Sequence, residues 1–69
     1  MMEQVAKIIE VSSSSEKGFV DAIEKGLKKC SKTVKNIQGA YIKETTVTTD
    51  EQGNIREWRV NLKVTFLVK

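Results

Sequence analysis

Residues 57–68 read Glu57-Trp58-Arg59-Val60-Asn61-Leu62-Lys63-Val64-Thr65-Phe66-Leu67-Val68. Trp58, Val60, Leu62, Val64, Phe66 and Val68 alternate with Glu57, Arg59, Asn61, Lys63 and Thr65, the two-residue period of a half-buried β-strand. One face of that strand is wholly apolar and has to meet a helix. The other is polar and faces solvent, a ligand or a neighbouring subunit.

Working outward, Asp50-Glu51-Gln52-Gly53-Asn54 predicts a hairpin loop, with Gly53 suited to a left-handed turn position. Before it, Ala40 to Thr49 (AYIKETTVTT) is dense in Thr, Val, Ile and Tyr and predicts the preceding strand. Tyr41 is in phase with Gly39 and Lys43 and points away from the helix. Further upstream, Phe19, Ile23, Leu27, Cys30, Val34 and Ile37 are spaced to keep one stripe on a helix, widened by Val20, Ala22 and Gly26. Lys25, Lys28, Lys29, Lys32 and Lys35 occupy the remainder and complement the dipole at its C-terminal end. Gly39 is a stop signal, with the last true turn nearer Lys32 or Lys35. Ser12 to Ser15 predict a polar break ahead of the helix. Ser13 and Glu16 have capping-box spacing, with Ser14 or Ser15 as the alternative cap. Gln4 to Val11 (QVAKIIEV) predicts a first strand, with Val5, Lys7, Ile9 and Val11 on one face and Ala6, Ile8 and Glu10 on the other. The order is β-α-β-β. The expected fold is α+β, a three-stranded antiparallel sheet packed on one helix in a single domain over residues 1–69.

A chain of 69 residues and 7.8 kDa buries only roughly 60% of its unfolded surface, so its core is marginal alone. Small domains offset this with disulfides, a structural metal or subunit contacts. One cysteine rules out an internal disulfide, and the absence of histidine rules out the usual zinc-ligand sets. Subunit contacts remain. Both edges of a three-stranded sheet carry unpaired backbone groups, which points independently to a homo-oligomer.

The same composition narrows the chemistry. Without histidine there is no Ser-His or Cys-His nucleophile pair. Cys30 lies on the apolar stripe and reads as a small buried hydrophobe rather than a thiolate activated by Lys28 or Lys29. The carboxylates are scattered without acid-base spacing, so no enzyme is expected. Gly18, Gly26, Gly39 and Gly53 are too far apart for a phosphate loop. Asp50, Glu51 and Glu57 lack EF-hand spacing and read as solvated, so no metal site is expected. A net charge of +3 falls short of a dense basic face. Trp58 and Phe66 are committed to the core phase, which argues against nucleic acid despite the helix lysines. The apolar runs are too short for a membrane span, and Met1-Met2-Glu3-Gln4 lacks signal-peptide blocks. With unpaired Cys30, the expectation is a cytoplasmic protein.

SSEKGF entering the helix, KTVKNI leaving it and EWRVNLKVTF closing the sheet make the chain resemble a dodecin, from about Val5 to Phe66. The resemblance implies a dodecin-like fold in a hollow shell of twelve subunits that binds riboflavin or FMN for storage or sequestration, without turnover. It also implies that the tryptophan which stacks on the flavin ring is replaced by Gly39, and that the glutamine which bonds the ring's polar edge is replaced by Arg59. Tyr41 could then offer a ring from two residues away, and Arg59 could bind an anion or stack on a planar group. Lys43 and Asn61 complete the implied cofactor-binding set with Gly39, Tyr41 and Arg59. The alternatives are a shell that holds another ligand or ions, a purely structural assembly, and a nucleic-acid module built on the helix lysines.

Overall fold

A computed structural model describes residues 5–68. Gln4, the expected start of the first strand, and the signal-peptide reading of Met1 to Gln4 lie outside the described residues. The elements are β1 (Val5–Ser15), α1 (Phe19–Ser31), β2 (Ile37–Thr49) and β3 (Ile55–Val68). They form one antiparallel sheet in the order β1-β3-β2. The strand with the strictest alternation is the central one. It is paired along both edges and lies beneath the helix, so its inward positions carry the core.

Val60, Leu62 and Val64 are fully buried with Ala22 and Cys30 of α1. Ile9, Val11, Phe19, Ile23, Leu27, Val34 and Ile37 pack around them. Each large aliphatic side chain buried here contributes about 1.5–3 kcal/mol. The helix approaches the sheet closely at Gly26, where an added Cβ would lie 3.0 Å from Ser13 Cβ and 3.4 Å from Leu62 Cδ1. The expectation that the whole apolar face of β3 meets the helix holds only in its middle. Trp58 and Phe66 are half-buried, and Val68 is exposed. The cause is length. The 13 residues of α1 span roughly 20 Å at 1.5 Å per residue, whereas the 14 of β3 span more than twice that at about 3.3 Å.

Two boundaries differ from the sequence reading. Ser12 to Ser15 are not a break but the end of β1, opposite Asn61, Val60, Arg59 and Trp58 of β3. Pairing with the long central strand outweighs the local preference of serine for caps and turns. No capping box forms. Gly18 is the N-cap without a side-chain bond, at φ 148°. Ser15 is buried instead; its hydroxyl donates to the Asp21 carboxylate and accepts from Lys17 N at 2.9 Å. It therefore ties the end of the strand to the first helical turn.

At the other boundary α1 stops at Ser31, a turn closed by Val34 N donating to Cys30 O at 2.9 Å. Asn36 takes a left-handed conformation, φ 63°, and turns the chain into β2. Gly39 is therefore not the helix stop; it lies inside β2 opposite Thr65. Val34 and Ile37 still pack on the core, from beyond the helix, because a tight reversal keeps them over the same apolar surface. The Asp50–Asn54 loop is as expected, with Gly53 at φ 85°. Asp50 Oδ1 accepts from the backbone N–H of both Gln52 and Asn54 at 2.9 Å.

Candidate functional site

The polar face of the sheet, turned away from α1, carries the candidate residues. Antiparallel register places directly opposed side chains on one face, so its rungs can be read across the strands. They are Ile8–Thr65–Gly39, Glu10–Lys63–Tyr41, Ser12–Asn61–Glu44 and Ser14–Arg59–Thr46, each from β1 through β3 to β2. The alternation in β2 is broken between Ile42 and Glu44 by a bulge. The bulge inserts Lys43 as an unopposed residue, so Tyr41 before it and Glu44 and Thr46 after it all occupy the outer face.

The rungs are chemically graded. At one end Ile8 and Tyr41 are 62% and 66% exposed beside Gly39, where an added Cβ would meet nothing within 4 Å. These groups make an open apolar floor that is crossed, on the central strand, by Thr65 and Lys63. At the other end Ser12 Oγ donates to Asn61 Oδ1 at 2.7 Å and Asn61 Nδ2 donates to Glu44 Oε1 at 3.1 Å, a polar chain across all three strands. Ser12, Ser14, Glu44, Thr46, Arg59 and Asn61 line a shallow cleft of about 360 Å³ there. Two ion pairs complete the face: Lys43 Nζ to Glu10 Oε1 at 3.1 Å and Arg59 Nη2 to Glu57 Oε1 at 3.2 Å. Both are exposed enough that each contributes only about 0–1 kcal/mol.

The five sequence-derived positions share this face but do not converge in one chain. Arg59 and Asn61 share the polar cleft, Tyr41 and Gly39 border the apolar floor, and Lys43 lies between them, bonded to Glu10. Gly39 opposes Thr65, six residues from Arg59 along β3, roughly 20 Å at 3.3 Å per residue. One ring system does not bridge that span, so a site using both needs more than one copy of the chain. Within the chain the carboxylate beside Arg59 is Glu57 of the same strand. Sequence reasoning missed Ser12 and Ser14, which it placed in a turn, together with Ile8 and Thr46. Only the β1–β3 register and the bulge at Lys43 reveal them.

Among the described residues no group of three or more His, Cys, Asp or Glu side chains is placed to hold a metal ion, and no helix is long and apolar enough to cross a membrane.

These features have close counterparts among known proteins. The family profile described as Dodecin matches residues 5–69. The chain belongs to the dodecin family. Dodecins typically form dodecameric assemblies, typically bind flavin and are generally non-catalytic. A mutant of the Thermus thermophilus dodecin superposes with a TM-score of 0.90 at 31% identity, covering 97% of this chain and 98% of that one. The dodecin from Streptomyces davaonensis shares the fold, with a TM-score of 0.92 at 24% identity and coverage of 99% and 98%. The calcium-chelating antigen of Mycobacterium tuberculosis, a calcium dodecin, superposes with a TM-score of 0.80 at 25% identity, covering 94% and 91%. No curated protein matches.

Proposed function

We propose that the chain is a single-domain subunit of a dodecameric, non-enzymatic shell that binds and sequesters a small planar ligand, with riboflavin or FMN as the family's ligand. The observation that carries this reading is the graded outer face, an open apolar floor next to a set of fixed hydrogen-bonding groups. A planar ring needs both: an apolar surface to lie on and directional partners at its edge. The residues fit a flavin in a modified way. Tyr41 would supply the aromatic contact that Gly39, in the place of the family's stacking tryptophan, does not. Asn61, Lys43 and Arg59, the last in the place of the family's glutamine, would bond the polar edge. A bound flavin would be held, with its reactive ring shielded from solution.

The roughly 20 Å between Gly39 and Arg59 makes the complete site one shared between copies. Loss of a stacking ring forfeits about 1–3 kcal/mol, by analogy with bases on aromatic side chains. Flavin is therefore expected to bind about ten-fold or more weakly than to a tryptophan-bearing site. The bare Gly39 favours one second reading, a shell of the same architecture that takes a different small ligand. Buried, unpaired Cys30 supports a reducing, cytoplasmic setting for either.

Titration of the purified assembly into riboflavin and into FMN, followed by flavin fluorescence, tests the proposal. Saturable quenching supports it. Fluorescence that ignores the protein at all concentrations overturns the flavin assignment in favour of the second reading. Substituting Gly39→Trp should tighten flavin binding if that position faces the ring.

A further inference from the structure

The charge of the chain is mild in sum but unevenly placed. Lys25, Lys28, Lys29, Lys32 and Lys35 fall within eleven residues, and no acidic residue occurs from Lys25 to Lys43. Of the twelve basic residues, the other seven are outnumbered by the nine acidic ones, so these five lysines carry the whole positive excess. The helix turns them into a surface. Lys25, Lys28, Lys29 and Lys32 have the i, i+3, i+4, i+7 spacing of one helix face. Lys32 keeps that spacing as the C-cap because its backbone is still helical, φ −72°. Ala22, Gly26 and Cys30 are buried on the side of α1 that faces the sheet, whereas all five lysines are exposed. Lys25 pairs with Asp21 at 3.6 Å, and the other four take part in no salt bridge among the described residues. The negative pole of the helix offsets only about half a charge, so most of theirs is uncompensated.

We propose that this lysine row is a docking surface for the phosphate backbone of duplex nucleic acid, bound without regard to sequence. Charge complementarity calls for a polyanion, and the helix itself chooses among polyanions. Its apolar stripe is committed to the core, so no apolar face remains beside the lysines to enter a bilayer as an interfacial helix does. The row is rigid and evenly charged. Four lysines from Lys25 to Lys32 occupy roughly 10 Å of helix, a density close to the one phosphate per about 3.4 Å of axis on a duplex strand. Trp58 and Phe66, half-buried on the central strand, offer no platform for bases, which restricts contact to the backbone. Backbone contact needs no aromatic ring. Assembly leaves the row in solvent, because like rows repel and lysine is depleted from the cores of subunit contacts. The exposed apolar residues that such contacts would cover, Ile42 and Val47, belong to β2. Each further subunit that reaches the same duplex adds a row, so weak individual contacts gain by avidity.

Fluorescence anisotropy of a labelled duplex of mixed sequence, titrated with the intact assembly, tests the surface. Binding is expected at about 50 mM sodium chloride and should weaken about a hundred-fold by about 200 mM, the dependence for roughly four neutralised phosphates. A duplex of unrelated sequence should bind equally. Lys28→Gln combined with Lys32→Gln should flatten the salt slope by about two and weaken binding about ten-fold or more at the lower salt. Lys17→Gln combined with Arg56→Gln removes the same charge elsewhere and should change little. Light scattering and thermal melts establish that both variants still assemble. No binding at the lower salt overturns the proposal. An equal loss in the two variants also does, since net charge rather than the row would then be responsible. Polyglutamate or phosphatidylserine vesicles that bind as well as the duplex at the same salt give the surface to another partner and overturn the assignment. Flavin titrations stand apart from every outcome, because the ligand face lies on the opposite side of the sheet.

Discussion

Gly18 and Gly26 are both glycines for structural reasons, but the reasons differ. Gly18 sits at φ 148° with open space around its missing Cβ, so backbone conformation alone excludes other residues. Gly18→Ala is expected to cost about 1–3 kcal/mol, seen as a lower midpoint in thermal unfolding with the fold retained. Gly26 has an ordinary helical conformation, where alanine would normally add up to about 1 kcal/mol. Here the added methyl group meets Ser13 Cβ at 3.0 Å, and that atom is fixed to a strand. Gly26→Ala should therefore destabilise the protein, against the propensity scale, and a gain in stability would show that the helix can lift from the sheet. Two carboxyls set the acid response. The Ser15 hydroxyl holds the Asp21 carboxyl below its ordinary value; burial opposes it, and Lys25 and Lys17 add smaller lowering effects. Asn54, through its backbone N–H and then its side chain, does the same for Asp50, with Gln52 and Gly53 amides assisting. A lowered folded value means stability that is present at neutral pH and lost as pH falls from the ordinary carboxylate range through the folded value. Asp21→Asn and Asp50→Asn should thus be less stable than the unaltered protein at pH 7, with the gap closing in acid. Urea midpoints at the two pH values check this.

At the scale of elements, the junction between β1 and α1 shows why local patterns mislead. Four serines before an apolar helical stripe carry every sign of a cap, yet they form ladder pairs with β3, and Ser15 serves the helix through Asp21 rather than through a backbone N–H. Ser15→Ala should remove this tie. It leaves a buried position without its hydroxyl, and the expected loss is about 1–3 kcal/mol, read from denaturant unfolding. The strand pattern of residues 58–66 and the hairpin loop were legible because a period of two and a glycine turn are local properties. The bulge at Lys43 was not. AYIKETTVTT contains no glycine or proline at that point, and the extra residue exists only relative to the register of β3. The candidate site inherits the same division. Gly39, Tyr41 and Lys43 were placed together on the outer face from phase alone, whereas Glu44 and Thr46 join them only because the bulge resets the phase.

For the whole molecule, the decisive feature is what the helix fails to cover. The chain measures 57 × 19 × 14 Å, and α1 packs on β1 and β3, leaving Ile42 and Val47 of β2 exposed on the helix side of the sheet. Val20 of α1 and Ile55 of β3 are exposed apolar side chains as well. A free edge strand bearing such residues is costly in a solitary subunit, and assembly offers the means of covering it. Light scattering is expected to give a mass many times the 7.8 kDa of one chain. Ile42→Lys combined with Val47→Lys should shift the protein to small species while circular dichroism still reports the sheet. An unchanged mass would place the subunit contacts elsewhere.

The sequence by itself determined the β-α-β-β order, the central strand's inner and outer faces and the likeness to dodecins, because these follow from periodicity and from motifs a few residues long. It also carried the expectation of partners, through size, a single cysteine and the lack of histidine. Only the tertiary structure decided that the serines belong to a strand, that Gly39 lies inside β2 and that Lys43 reaches over the central strand to Glu10. Each of these depends on which groups meet across strands distant in sequence. No local pattern encodes that competition, because it is settled by register and by the length of helix available to cover the sheet.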